Sequence, residues 1–201
     1  MLPRQTYHFF NRANGWENLF LRARDYNNFI GKMKKHVASA LQFQAFSMIP
    51  KHFHLCGRVR DEDILQLVLN VAAQQLRSNK SVSALIERSI SRKFSNGFNS
   101  YAQWFNKSNT RKGSLFVPNF KKEVVEGEEE LKKVIHFIHA NPVVHKLVDR
   151  IEDWPFSSYP VILGAGKTFL DREFILGLFG GSKAFVEYHK QPWDKTLNTL
   201  E

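Results

Sequence analysis

The apolar residues of this chain repeat with two different spacings, and segments of the two kinds alternate along the sequence. The aromatic run at residues 7–11 ends in polar residues and Gly15, which is typical of a short strand. After it, Phe29, Met33 and Val37 recur at every fourth position and would share one face of a helix. The chain read in this way has the order β-α-β-β-α-β-α. Strands are predicted at residues 7–11, 43–48, 52–59 and 115–125. Helical segments are predicted at 25–40, at 61–77 and 81–107, which together take the second helical place in this order, and at 128–140.

This order of elements limits the fold to few possibilities. It predicts an α+β fold of the ferredoxin-like type, with an antiparallel sheet and helices on one face. After residue 153 the pattern changes to a turn-rich segment with Trp154 and Tyr159, followed by short helical pieces. Domains usually have about 100–150 residues, so a chain of 201 residues suits one domain with an appendage. We therefore predict one domain at residues 1–153 and a C-terminal helical appendage at 154–201.

Cysteine content and hydropathy indicate the compartment. Cys56 is the only cysteine, which excludes an intramolecular disulfide framework and a cysteine-rich zinc site and fits a reducing cytoplasm. No apolar stretch is long enough to span a bilayer, and the N-terminus lacks the pattern of a secretory signal. We expect a soluble cytoplasmic protein with no membrane partner.

Most of the net charge of +10 comes from one part of the sequence, residues 77–122. This segment has ten basic residues and one acidic residue, Glu87, and mixes them with aromatic, Asn and Gln side chains. Such a mixture suits a surface that neutralises phosphates and stacks or hydrogen-bonds bases. The alternative is a solvated basic face over an aromatic core.

The pair His52 and His54 is the sharpest local feature. Within a strand, side chains two residues apart project from the same face, about 6.6 Å apart, so both imidazoles could bind one metal ion. On the predicted helix at 128–140 and just beyond it, Phe137 and Asn141 lie one turn apart, and Asn141 could supply a third ligand. Asn141 could equally cap the helix before Pro142. Two imidazoles and an amide oxygen suit Mg²⁺ or Mn²⁺ better than structural zinc.

Several separated segments together resemble a known family. These segments are MIPKHFHL at 48–55, YAQWFNK at 101–107, RKGSLF at 111–116, FIHANPVVH at 137–145 and DWPFSSY at 153–159. They resemble the IS200-like transposases, and most closely the REP-associated tyrosine transposases, a branch of the HUH (His-hydrophobe-His) single-stranded DNA nucleases. The resemblance covers about residues 7–159.

The resemblance implies an enzyme that binds a folded DNA hairpin and cuts one strand by attack of a tyrosine on a phosphodiester. Strands are then rejoined through a 5′-phosphotyrosine intermediate, and a divalent metal ion polarises the scissile phosphate. Carried over by position, His52 and His54 match the HUH pair, and Asn141 matches the third metal ligand. The nucleophile falls on Phe137. The family includes monomers and homodimers.

Phenylalanine at position 137 departs from the family pattern, because it has no hydroxyl to attack phosphorus. Three explanations are open: natural loss of cleavage, a deliberate replacement of tyrosine to trap a DNA complex, or another nucleophile. Tyr101 and Tyr159 lie in family-like segments and are the candidates for that substitute. Tyr101 shares an apolar stripe with Phe94 and Phe105, which favours a core or DNA-stacking role.

The sequence thus predicts a transposase-family DNA strand transferase in which Phe137 replaces the catalytic tyrosine. The alternative from another class is a non-catalytic, domesticated protein that binds DNA hairpins. An RNA-binding module on the same architecture is a third possibility, against which the two histidines argue. Metal dependence would distinguish the first possibility from the others. The residues predicted to contact the DNA backbone are Arg92, Lys93, Lys107, Arg111 and Lys112.

Overall fold

Four antiparallel strands form the sheet at the centre of the computed structural model, which describes residues 1–61, 63, 65 and 79–200. The strands lie in the order β2-β3-β1-β4, and every neighbouring pair is antiparallel. This is the strand order of the ferredoxin-like arrangement, so the predicted α+β class is confirmed. The strands are β1 (Thr6–Arg12), β2 (Leu41–Ile49), β3 (His52–Val59) and β4 (Lys121–Val125).

The helices follow the predicted order, and three short ones form the C-terminal part. No helix in the described part of the chain is long and apolar enough to cross a membrane. The helix predicted at residues 61–77 falls almost entirely outside the described residues. The helices are α1 (Ala23–Val37), α2 (Asn79–Ser108), α3 (Gly127–Val144), α4 (Tyr159–Leu163), α5 (Arg172–Phe179) and α6 (Ser182–His189), with short 3₁₀ turns at Ile151–Asp153 and Lys195–Leu200.

The strand predicted at residues 115–125 is correct only in its second half. Between residues 115 and 120 the chain makes one isolated bridge, from Phe116 to Ala13, before β4 begins. Two residues explain the interruption. Pro118 has no N–H to donate to a ladder, and Asn119 has a φ of 63°, which is incompatible with a strand.

Helix α3 is longer than predicted, since it runs through Pro142 to Val144. Asn141 therefore does not cap the helix, and the capping alternative is wrong. Proline inside a helix removes one backbone hydrogen bond, here close to the C-terminal end. The carbonyls of Asn141 and Pro142 still accept hydrogen bonds from the N–H groups of His145 and Leu147, at 3.1 and 2.9 Å.

The helices cover both faces of the sheet rather than one. The ring of Phe53 in β3 packs on Phe29 of α1 and Phe98 of α2, with centroid distances of 4.7 and 5.5 Å. His54, the next residue, points to the opposite face, where its ring lies 5.4 Å from that of Phe137 in α3. The expectation of a single covered face is therefore wrong in this respect. Helices α1 and α2 are crossovers between strands, whereas α3 follows the last strand and is free to pack on the other side.

The C-terminal segment covers the outer edge of β2. Met48 donates its N–H to the carbonyl of Phe156 at 3.1 Å, and Ser158 and Asp171 donate to carbonyls of the same strand at 2.8 and 3.0 Å. These bonds satisfy backbone groups that an edge strand otherwise leaves open. The chain that flanks the short helices thus lies along this edge of the sheet.

Candidate functional site

The predicted ligands His52, His54 and Asn141 come together where α3 crosses β3. Nε2 of His52 lies 3.1 Å from Oδ1 of Asn141. The rings of His52 and His54 lie 5.1 Å apart, and both His54 and Asn141 are buried. The strand alternation and the position of Asn141 on α3 therefore place all three polar groups in one region.

A third histidine, His8 of β1, belongs to the same cluster and was missed in the sequence. Its Nε2 lies 2.9 Å from Nδ1 of His54 in a buried contact. In the register of β1 and β3, His8 is opposite Cys56, two residues after His54, so both histidines project from one face. The available signal was the alternation of β1, in which His8 faces away from Phe9, but it could not indicate which strand would pair with β1.

Burial keeps both of these histidines neutral. It lowers the pKa of His8 to about 3. The pKa of His54 is also well below its usual range, first because the ring is fully buried and then because His8, His52 and His145 are nearby. Neutral imidazole has a lone pair available for a metal ion. If His54 donates the Nδ1 hydrogen to His8, that lone pair is on Nε2, and His8 fixes the tautomer of His54.

The donor set fits a hard or borderline divalent cation. Nε2 of His54 is buried and has no hydrogen-bond partner among the residues that the structure describes, which is costly unless a ligand satisfies it. No group of three or more His, Cys, Asp and Glu side chains with metal-binding geometry occurs in the described ranges. The candidate donors at this position are the imidazoles and the amide oxygen of Asn141, a combination that would suit Mn²⁺ or Mg²⁺.

Phe137 lies over the histidines, as its spacing from Asn141 predicts. Its side chain is fully buried, and its ring centroid lies 5.4 Å from that of His54 and 6.1 Å from that of His8. Trp193, from the C-terminal segment, contacts the same ring at 6.3 Å. A phenyl ring thus lies beside the histidine pair, at the position that the sequence resemblance assigns to a nucleophile.

Tyr101 and Tyr159, the tyrosines considered as substitute nucleophiles, do not belong to the histidine cluster. Tyr101 is buried on the opposite side of the sheet, where its hydroxyl donates to the carbonyl of Leu19 at 2.6 Å. Tyr159 packs against His139 and Phe185, with centroids 5.6 and 5.4 Å apart. Burial raises the pKa of both hydroxyls, which makes them poorer nucleophiles. The core role favoured for Tyr101 agrees with this packing.

The remaining histidines of α3 have a packing role, as their helical angles indicate. Nδ1 of His139 lies 2.8 Å from Nε2 of His189, and its Nε2 lies 2.6 Å from the hydroxyl of Ser158. His189 in turn donates from Nδ1 to the carbonyl of Phe185 at 2.7 Å. His136 is buried beside this chain of hydrogen bonds, 4.9 Å from His189 between ring centroids. The network attaches the C-terminal helices to α3.

The basic residues predicted to contact DNA differ in how readily their side chains could reach a phosphate. Arg92, Lys107 and Lys112 are exposed, whereas Lys93 donates a hydrogen bond to Ser39 at 3.1 Å. Arg111 forms an ion pair with Glu17, and its guanidinium also donates to Asn106 and to the carbonyls of Gly113 and Ser114. Arg111 therefore stabilises the turn after α2, and a phosphate would have to compete with these contacts.

The aromatic residues of the basic segment are mostly core residues. Phe94, Phe98, Tyr101, Phe105 and Phe116 are all buried. These rings therefore form an aromatic core beneath the basic face, as the alternative interpretation of this segment predicts. A cleft lined by both polar and apolar side chains nevertheless runs between α2 and the chain at residues 113–120. Its polar lining from α2 consists of Ser91, Ser95, Asn99, Gln103 and Asn106.

Comparison with known proteins shows a similarity in fold. No protein-family model matches the chain, and no curated protein matches it. Among solved structures, it is similar to a REP-associated tyrosine transposase bound to a REP hairpin. The two share 16% sequence identity with a TM-score of 0.55, over 84% of this chain and 85% of the other. This similarity shows a common fold and a distant structural relationship.

Proposed function

We propose that this chain binds DNA that folds into a hairpin, and that His52, His54 and Asn141 hold a divalent cation beside the bound strand. The observation that carries the proposal is the convergence of these three side chains beside Phe137 on one face of the sheet. The resemblance of several sequence segments to REP-associated tyrosine transposases supports it independently. So does the similarity in fold to a transposase of that kind that was solved with a hairpin.

Each residue of the cluster has a distinct task in this proposal. His52 and His54 supply imidazole nitrogens, and Asn141 supplies an amide oxygen. His8 orients His54 through their 2.9 Å contact. When bound, the cation would polarise the phosphate at the cleavage position. Phe137 fills the position of the attacking hydroxyl but has none, so a phosphotyrosine cannot form at this residue.

Positive charge lies close to the histidines as well as on α2. Arg12 and Lys121 line the cavity that also contains His52 and His54. The ammonium of Lys121 lies 5.6 Å from the ring of Phe10 in the same cavity. These cations and the exposed Arg92, Lys107 and Lys112 are suited to the phosphates of a bound strand.

A non-catalytic hairpin-binding protein is the second candidate function. Phe137 favours it, because its ring is fully buried and chemically inert in this position. The two candidates share the DNA-binding surface and differ in whether the metal site supports strand cleavage once a hydroxyl is present.

Binding of a labelled hairpin, followed by fluorescence anisotropy, tests the proposed function. We expect the hairpin to bind more tightly than an unstructured strand of the same composition. The double variant Arg92→Ala/Lys112→Ala should weaken hairpin binding and reduce the slope of log affinity against log salt by about 0.7–0.9 for each lost phosphate contact. Lys190→Ala, which removes an exposed lysine from the C-terminal segment, should leave the slope unchanged. Equal affinity for both DNAs would contradict the proposal.

Calorimetric titration with Mn²⁺ tests the metal site without any DNA. Asn141→Ala removes the amide oxygen that lies 3.1 Å from His52. Loss of an outer-shell partner already costs metal sites about 10- to 100-fold in affinity, so removal of a direct ligand should cost at least about tenfold. Gln103→Ala removes an exposed amide from α2 and serves as the matched control. Unchanged Mn²⁺ binding in Asn141→Ala would exclude this residue as a ligand.

A further inference from the structure

Trp16 projects almost completely into solvent. Its side chain is 92% exposed, the highest value among the exposed large apolar residues in the described part of the chain. Tryptophan is usually highly buried, because its ring has a large apolar surface. A ring exposed to this extent is available to contact a partner.

The loop that carries Trp16 is held in place on both sides. Ala13 donates its N–H to the carbonyl of Lys51 at 2.8 Å, and Asn14 donates to the carbonyl of Leu115 at 3.0 Å. On the other side, Leu19 donates to the carbonyl of Pro50 at 2.6 Å. Trp16 is therefore presented from an anchored loop, so less conformational entropy is lost when a ligand binds to it.

The anchoring also places Trp16 near the candidate metal site. The loop rests on the turn at Pro50 and Lys51, and the next residue along the chain is His52. In the register of β1 and β3, His52 is opposite Arg12 at the same end of the sheet. The exposed ring thus lies at the end of the sheet where the proposed site begins.

The electrostatic surroundings of Trp16 favour an anionic partner. The ammonium of Lys51 lies 5.7 Å from the centroid of the Trp16 ring, a cation-π distance. The nearest acidic neighbour in sequence, Glu17, is paired with Arg111, so its charge is compensated. A flat aromatic face next to a lysine matches a nucleotide, in which a base stacks and its phosphate meets the cation.

We propose that Trp16 stacks against an unpaired base of the DNA strand that adjoins the hairpin, with Lys51 close to the adjacent phosphate. The base must be unpaired, because inside a duplex both of its faces are covered by neighbouring bases. This inference rests on the proposed function and adds a residue that determines which part of the DNA is recognised. Trp16 would recognise the single-stranded part of the substrate, whereas the basic surface of α2 would recognise the backbone in general.

The test compares a blunt hairpin with hairpins that have a four-nucleotide extension at the 5′ or the 3′ end. Because the stacking contact is lost, we expect Trp16→Ala to weaken binding of one extended hairpin by about tenfold. Binding of the blunt hairpin should not change. Trp16→Phe should retain part of the affinity. Phe174→Ala, which removes an exposed aromatic ring from α5, is the matched control and should behave as the unsubstituted protein.

The stacked base can then be located with abasic nucleotides placed singly along the extension. One abasic position should reproduce the loss seen with Trp16→Ala, and combining the two changes should give no further loss. Unchanged binding of both extended hairpins by Trp16→Ala would overturn the inference and leave the proposed function intact. An equal loss for blunt and extended hairpins would also overturn it. If the unsubstituted protein binds no hairpin, the proposed function fails and this inference fails with it.

Discussion

Phe137→Tyr is expected to form a covalent protein–DNA adduct that the chain with phenylalanine does not form. The substitution adds a hydroxyl to the ring that lies 5.4 Å from His54, beside the proposed metal ligands. A tyrosine oxygen can attack a phosphodiester and displace the 3′ hydroxyl of the preceding nucleotide, which leaves a 5′-phosphotyrosine. The measurement is an incubation of each protein with labelled hairpin DNA and Mn²⁺, followed by a denaturing gel.

Two controls make this result specific. Phe137→Tyr combined with Asn141→Ala should bind the hairpin but form little adduct, because the third proposed ligand is absent. Omission of Mn²⁺ should have the same effect. No adduct with either protein, despite hairpin binding, would favour the non-catalytic hairpin-binding function. An adduct formed by the chain with Phe137 would show that another residue is the nucleophile.

Acid is expected to destabilise the fold through His189, which lies in the hydrogen-bond network of α3 and the C-terminal helices. Burial lowers the pKa of His189 to about 3, compared with 6.5 in the unfolded chain. Below pH 6.5 the unfolded chain therefore binds a proton that the folded chain does not. The contribution of His189 to stability is complete above pH 6.5 and is lost progressively as the pH falls toward 3. The loss is about 1.4 kcal/mol per pH unit, or about 3 kcal/mol at pH 4.5.

Urea unfolding at several pH values measures this effect. His189→Gln keeps an amide that can donate and accept hydrogen bonds but does not titrate in this range. The variant should be less stable at pH 8, and its unfolding free energy should fall less steeply between pH 6.5 and 4.5. The difference in slope should correspond to about one proton. His36 provides the comparison, because it is only partly buried and lies outside this network, so His36→Gln should change the slope less than His189→Gln does. Parallel curves for the unsubstituted protein and His189→Gln would contradict the prediction.

Local patterns in the sequence were sufficient to predict most helices and strands and part of the candidate site. The four-residue repeat at Phe29, Met33 and Val37 predicts α1, and these three side chains are buried. The alternation around His52 and His54 predicts both the strand and the shared face of the two imidazoles. These predictions succeed because the period of a helix or strand depends only on neighbours along the chain. The strand predicted across Pro118 failed for a local reason as well, since proline and a positive φ at Asn119 interrupt the ladder.

The face on which α3 packs depends on tertiary structure. The same spacing of Phe137 and Asn141 is compatible with a helix on either side of the sheet and with a cap before Pro142. Only the packing of α3 on the histidine face brings Asn141 to 3.1 Å from His52. A helix that follows the last strand is not a crossover, so strand order does not determine its side.

The sequence by itself determined the α+β class, the order of strands and helices along the chain, and the placement of His52 and His54 on one face of a strand, because each follows from short-range periodicity. Tertiary structure alone decided that His8 contacts His54, that Arg111 is paired with Glu17, and that Trp16 lies against Lys51. The residues of these pairs are separated by 46, 94 and 35 positions. Contacts between such distant residues depend on strand register and loop placement, which arise from the packing of the whole chain.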